Sequence, residues 1–323
     1  MTKATKICLI IAAALVTLGL LVSVGALFMI KFDFSSLNTA KLETSIHEIS
    51  EDLENITIET DTSDIILLPS TDDKCKVVCY EYQKENHSVS VVDGTLKIIR
   101  EDTREWYDHI GIFSFGSSSI KIYLPESKYA SISIKSDTSD INIPNDFRFG
   151  SIEAVLSTGD VKCYASASQS LKIKTSTGDI TVENVKVGAL GLTTSTGDII
   201  ASGVKCDGDV ELKVTTGKTY LTNLTCKNLT SQGDTGDINL KGVISSEKLN
   251  ISRSTGDVTF DGCDASTLLI VTDTGDVTGR LLSGKLFVYK TDTGDVDLPK
   301  STNGGGRCEI TTDTGDIRIS VIQ

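Results

Sequence analysis

The chain has 323 residues, a formal net charge of −13, one tryptophan and four prolines. That acidity excludes a nucleic-acid binder, which needs clustered Lys and Arg against the phosphate backbone. Eight cysteines without a CxxC…CxxC pattern and three dispersed histidines, His47, His87 and His109, give no metal framework legible from spacing.

In chain order, residues 7–30 come first as an uncharged apolar run, long enough to cross a hydrocarbon core with some tilt. Lys3 and Lys6 precede it, so the positive-inside rule puts residues 1–6 in the cytoplasm as a tail and everything after Lys31 outside. A cleaved signal peptide is the alternative, with Val24-Gly25-Ala26 as a possible cleavage site. The apolar run continues past it to Ile30, and signal h-regions are usually shorter. The expectation is therefore a single-pass protein of the cell membrane, in contact with the bilayer through residues 7–30. Residues 31–55 read as a polar linker, partly helical around Leu42 to Leu53.

Residues 56–135 follow a loose strand pattern. Ile56 and Ile58 lead to Asp61-Thr62-Ser63-Asp64, then Ile65 and Leu67. Val89 and Val91, Asp93-Gly94, then Leu96 and Ile98 predict a hairpin. Ile120 to Leu124 is a strand ended by Pro125. Between these lies an aromatic-rich insertion, residues 104–116, with Trp106 and Phe113. It reads as a cap on an open end or as a contact site. Asp64 and Asp140 are 76 residues apart, four times 19, so this region is expected to contain irregular coils.

Residues 136–323 are regular. Thr-Gly-Asp recurs ending at Asp160, Asp179, Asp198, Asp237, Asp257, Asp276, Asp295 and Asp316, with Lys218 filling one gap and Thr138-Ser139-Asp140 starting the series; the spacing stays between 19 and 21. Apolar pairs stand eight and six places before the Asp, such as Leu171/Ile173, and one and three places after it, such as Ile180/Val182. Period-two alternation marks strands with one buried face. A third apolar position follows six places after the Asp (Val185, Val204, Leu224, Val243, Cys263), usually preceded by Gly or Asn. One such unit cannot bury its own apolar face, but stacked units enclose a continuous core. The fold class is all-β, a single-stranded β-solenoid of about 19-residue coils occupying residues 56–323, preceded by one transmembrane helix, with a rod length on the order of 50 Å.

The Thr-Gly-Asp corner reads as structural. Gly turns the chain, Asp accepts N–H bonds, and the Thr hydroxyl bonds to the next layer. Two acidic columns, the second formed by Asp61, Asp137, Asp234, Asp273, Asp292 and Asp313, are also a conceivable site for hard cations. The uniformity of these columns singles out no catalytic pair, so no catalytic, cofactor-binding or metal residues and no cofactor are assigned. Cys206 and Cys226 fall in adjacent layers, within disulfide reach, although buried free thiols are the simpler reading. The sequence ends at Gln323 still in strand pattern, which predicts an open edge and self-association at the C-terminal coil.

The residues laid out so far resemble a bacterial putative-adhesin family with β-strand repeats, a domain of unknown function. The carriers are Ile-Glu-Thr-Asp-Thr-Ser-Asp-Ile (58–65), Asp-Gly-Thr-Leu-Lys-Ile (93–98), the Trp…Phe-Ser-Phe-Gly segment, Ile-Tyr-Leu-Pro (122–125) and the serial Thr-Gly-Asp units. The resemblance covers about residues 50–320. It implies a non-enzymatic envelope protein that binds or scaffolds, with a cell-envelope polymer or a membrane protein as partner. Envelope-stress sensing through a membrane partner and a polysaccharide-active enzyme are the alternatives; the latter needs a distinct carboxylate pair.

Overall fold

The computed structural model describes residues 3–29, 42–82, 85–102, 118–301 and 305–322. Lys3–Met29 is one helix, long and apolar enough by length and composition to cross a membrane. The expected aromatic insertion around Trp106 and Phe113 lies outside the described residues.

The remainder is almost entirely strand and forms the expected solenoid. Each coil places one strand before the Asp and one after it. Like residues stack on like: Leu171 pairs with Leu190, Leu190 with Val210, Val210 with Leu229 and Leu229 with Leu249. On the second face Ile180 pairs with Ile199, Ile199 with Thr219 and Thr219 with Ile238. The third positions Val185, Val204, Leu224, Val243 and Cys263 are all buried. Removing each such side chain from water contributes about 1.5–3 kcal/mol, so the stack is held by its interior. The turn before the third position needs a left-handed residue. Asn184, Gly203, Asn223, Gly242 and Gly262 supply it, with φ between 51° and 65°.

At both ends the coil order departs from the chain order. The coil made of Asn55–Thr60 and Asp64–Pro69 lies between the coil of Thr95–Asp102 and Ser119–Leu124 on one side and that of Lys128–Thr138 and Ile141–Ile143 on the other. Residues 56–135 therefore contain coils that stack out of chain order and are interrupted by other strands. Asp64 sits directly beneath Asp140, with Asp140 N donating to Asp64 Oδ1 at 3.0 Å. Much of the intervening chain forms an antiparallel cap. Glu85–Val92 pairs with Thr95–Asp102, and Cys75–Tyr82 pairs with Ser119–Leu124. Asp93 and Gly94 both have positive φ, as a two-residue hairpin turn requires. Leu42–Ile49, expected to be part of a partly helical linker, is a strand paired with Cys75–Tyr82. Alternating polar and apolar residues fit this cap edge better than a helix, and an exposed β-sheet edge was available to receive it.

The C-terminal end shows the same device. Arg307–Thr314 pairs with Val258–Thr274 on one side and Leu286–Thr293 on the other, and Ile317–Val321 lies between Val277–Leu281 and Val296–Asp297. The expected open edge at the final coil is thus not where the sequence order puts it. The last coil is internal, and the rod ends on the coil of Leu286–Thr293 and Val296–Asp297.

Candidate functional site

The Asp column is consumed by a ladder. Along most of the column an Asp N donates to Oδ1 of the Asp one layer below, as for Asp160 to Asp140 at 2.9 Å, Asp179 to Asp160 at 2.8 Å and Asp198 to Asp179 at 2.7 Å. The ladder follows the spatial order at the far end, with Asp316 donating to Asp276 and Asp295 to Asp316. Lys218 N joins it at Asp198, while its ammonium turns the other way to Asp237 Oδ2 at 2.9 Å. Gly178 has φ 138°, and a Cβ there would lie 2.1 Å from the Gly159 carbonyl oxygen. Glycine permits that spacing at this positive φ; Ser63 and Ser139, at the same place in the first coils, do not have positive φ. The inter-layer hydroxyl bond falls to a different threonine from the one expected: the Thr four places before the Asp is buried and bonds the glycine carbonyl below, as Thr194 to Gly178 O at 3.0 Å, whereas the motif's own Thr177 and Thr196 are exposed.

A concavity lies where the third segments of the first regular coils are stacked. It measures about 970 Å³ and is lined by Lys128, Tyr129, Arg148, Tyr164, Lys186 and Asp207, among others. Its floor rests on packed rings: Tyr129 lies 5.7 Å from Phe149 and 6.5 Å from Phe147, centroid to centroid, and all three are buried. Lys128, Arg148 and Lys186 are exposed along the groove and Tyr164 is half-buried. Sequence periodicity does not reveal the groove, because its members come from successive third segments at unlike positions.

A second cluster lies in the cap. Cys79, Glu81 and His87 are all buried, and their ligand-type atoms lie within 4.8 Å of one another. Ser45 Oγ donates to Glu81 Oε1 at 2.9 Å and His87 N donates to Oε2 at 2.7 Å. Burial acts to raise the Glu81 carboxyl, but the His87 and Ser45 hydrogen bonds outweigh it and hold the group below its ordinary value. Burial pushes the Cys79 thiol up to about 12, with the Glu81 charge adding to it. The cluster leaves no histidine-rich signature in the sequence, because a single imidazole is brought by folding to a Cys-x-Glu pair. All eight cysteines are free thiols; Cys8 is exposed and the other seven, Cys206 and Cys226 included, are buried.

A family model described as Toastrack DUF4097 matches residues 53–213 and again residues 204–323. The chain belongs to the Toastrack DUF4097 family. No curated protein matches the sequence. Solved structures similar to this Toastrack chain include a putative adhesin from Parabacteroides merdae, at 14% identity over 88% of this chain and 98% of that one, with a TM-score of 0.48. A putative adhesin from Bacteroides fragilis is 17% identical over 87% and 97%, with a TM-score of 0.39. A putative lipid binding protein from Parabacteroides distasonis is 14% identical over 88% and 98%, with a TM-score of 0.35.

Proposed function

We propose that this Toastrack protein is a non-enzymatic, membrane-anchored binding rod of the cell envelope. Its apolar N-terminal helix is retained as the anchor, and the solenoid stands outside the membrane. The observation that carries this reading is the groove at Lys128, Arg148 and Lys186. Three cations line it against two carboxylates, Glu54 and Asp207, with Lys186 Nζ 3.6 Å from Asp207 Oδ2. A net positive groove with a half-buried tyrosine, on a chain of net charge −13, suits an anionic envelope polymer. The motif carboxylates support a scaffold rather than catalysis, since those from Asp140 to Asp276, and Asp316, each accept a ladder bond. Self-association through the open terminal coil belongs to the same reading.

The test is binding of the full chain in detergent to purified anionic envelope polymers. Arg148→Glu with Lys186→Glu is expected to abolish binding while the melting temperature stays unchanged. Equal binding by the double variant would remove the groove from consideration. Turnover of a polysaccharide by the wild type would overturn the non-enzymatic reading.

A further inference from the structure

Among the described residues, two buried side-chain atoms lack any hydrogen-bond partner, His87 Nδ1 and His47 Nε2. Both lie on the cap. His87 is 6% exposed, and its Nε2 is engaged by Thr60 Oγ1 at 2.8 Å. With the ring proton on Nε2 and donated to Thr60, Nδ1 presents a bare lone pair. It faces Glu81 Oε2 at 3.6 Å, an anionic oxygen, and Cys79 Sγ completes the triangle. A lone pair buried against a carboxylate is unfavourable unless a cation or a proton lies between them.

We propose that Cys79, Glu81 and His87 form a binding site for a divalent transition-metal ion of the Zn²⁺ class. Sulfur, imidazole nitrogen and carboxylate oxygen are the donor types such ions take, whereas Ca²⁺ and Mg²⁺ take oxygen donors. Bond lengths of about 2.0–2.3 Å put tetrahedral ligand atoms roughly 3.5 Å apart, so a triangle within 4.8 Å needs only a small closure. Charge balances in the dry interior: the thiol gives up its proton on binding, and thiolate and carboxylate together offset the two positive charges. The surroundings are those of an outer shell. Thr60 fixes the imidazole through the far nitrogen, and Ser45 holds the far carboxylate oxygen. Cys75–Tyr82 belongs to one face and Glu85–Val92 to the other, so the cluster lies where the chain crosses between sheets, close to the end of the rod.

The experiment uses the full chain in detergent, reduced and stripped by a chelator, titrated with Co²⁺ and then with Zn²⁺. The expected result is a thiolate-to-cobalt charge-transfer band that saturates at one equivalent and is displaced by Zn²⁺. Cys79→Ser and His87→Gln lose the band, while Cys75→Ser, a buried thiol of the same strand, keeps it. Absence of a saturable band in the wild type, or a band that survives Cys79→Ser, overturns the site. Should Cys79→Ser fail to fold, the wild type alone decides. Zn²⁺ is expected to slow alkylation of Cys79 selectively among the buried cysteines, and unchanged rates overturn the proposal.

Discussion

Lys285 Nζ donates to Asp264 Oδ1 at 2.5 Å, and this contact holds the reordered end of the rod together. The ammonium is almost fully buried and also donates to the backbone oxygens of Ala265, at 2.7 Å, and Gly305. Lys285 stands where the chain skips a layer to build the terminal coil, and Gly305 stands just before Arg307–Thr314 fills the gap. One cation thereby ties together the three segments that the crossing separates. The two partners are not equivalent. The Asp264 side chain keeps a quarter of its surface in water, the Lys285 side chain only 2%. Asp264→Ala strands a buried charge and is expected to cost about 3–5 kcal/mol. Lys285→Met leaves a carboxylate that water can reach and is expected to cost less. Urea unfolding of both variants checks the order, and equal losses would contradict it.

Arg253 is a buried cation with no carboxylate paired to it among the described residues. It is 3% exposed and donates to Ser252 O, Thr219 Oγ1 and Ser231 Oγ at 3.0, 3.2 and 2.9 Å. It occupies the threonine position of its coil. Thr219 stands in an Ile/Val column beside it, and Gly233 leaves the room it fills, since a Cβ there would lie 2.8 Å from Nη1. Burial pushes the guanidinium down to about 10. A depressed base penalises the folded state while charged, and the penalty is relieved as pH rises from the folded toward the unfolded value. Arg253→Met, of comparable length and uncharged, is expected to raise stability by about 1–3 kcal/mol. Its advantage over the wild type should hold below about pH 9 and shrink above about pH 10. A variant less stable than the wild type at neutral pH would show that the three hydrogen bonds outweigh desolvation.

The corner predicts a sharp contrast between its two invariant-looking members. Asp179→Asn keeps an oxygen at the acceptor position for Asp198 N, so a change within about 0.5 kcal/mol is expected. Asp179→Ala removes the acceptor and should cost about 1 kcal/mol. Gly197→Ala is a different matter, because its Cβ would lie 2.2 Å from the Gly178 carbonyl oxygen at a φ of 141°. The layers would have to part, and a loss of several kcal/mol is expected. Thermal melts of the three variants should rank Asn, Ala at 179, then Ala at 197. A tolerated Gly197→Ala would remove the steric account of the motif.

The repeat was legible in the sequence because every inward position is set by a local period, and the stacking then repeats one solution. The hairpin at Asp93-Gly94 and the left-handed Asn184 and Gly203 were legible for the same reason, since backbone conformation chose those residues. Layer order was not. Asp64 and Asp140 lie four periods apart in sequence and one layer apart in space, and parallel strands of one repeat are interchangeable as neighbours. Only side chains such as Lys285, reaching across layers, distinguish one order from another. The Cys79–Glu81–His87 cluster was hidden likewise, since it joins two faces across a break in the period.

The terminal coil makes the last prediction. Leu286–Thr293 pairs with Arg307–Thr314 on one side, and no described strand pairs with its other side. Tyr289 occupies the inward register above Ile310, yet it is 54% exposed, and Val296 above Ile317 is 37% exposed. Phe287 N is met by Ser301 Oγ at 3.2 Å, and Phe287 and Leu298 pack on the core there. Past Phe287 the interior is partly open to solvent beside an edge that no described strand pairs, an arrangement that invites strand addition. A second copy fits by antiparallel pairing about Thr291. Lys290 would then face Asp292 of the second copy across the new ladder, an opposite-charge pair repeated by the two-fold axis. The full chain in detergent is expected to show a concentration-dependent monomer–dimer equilibrium in sedimentation. Tyr289→Lys, which puts a charge into the contact, should shift it to monomer without lowering the melting temperature. A wild type that stays monomeric at high concentration, or a variant that dimerises equally well, would exclude this edge as the interface.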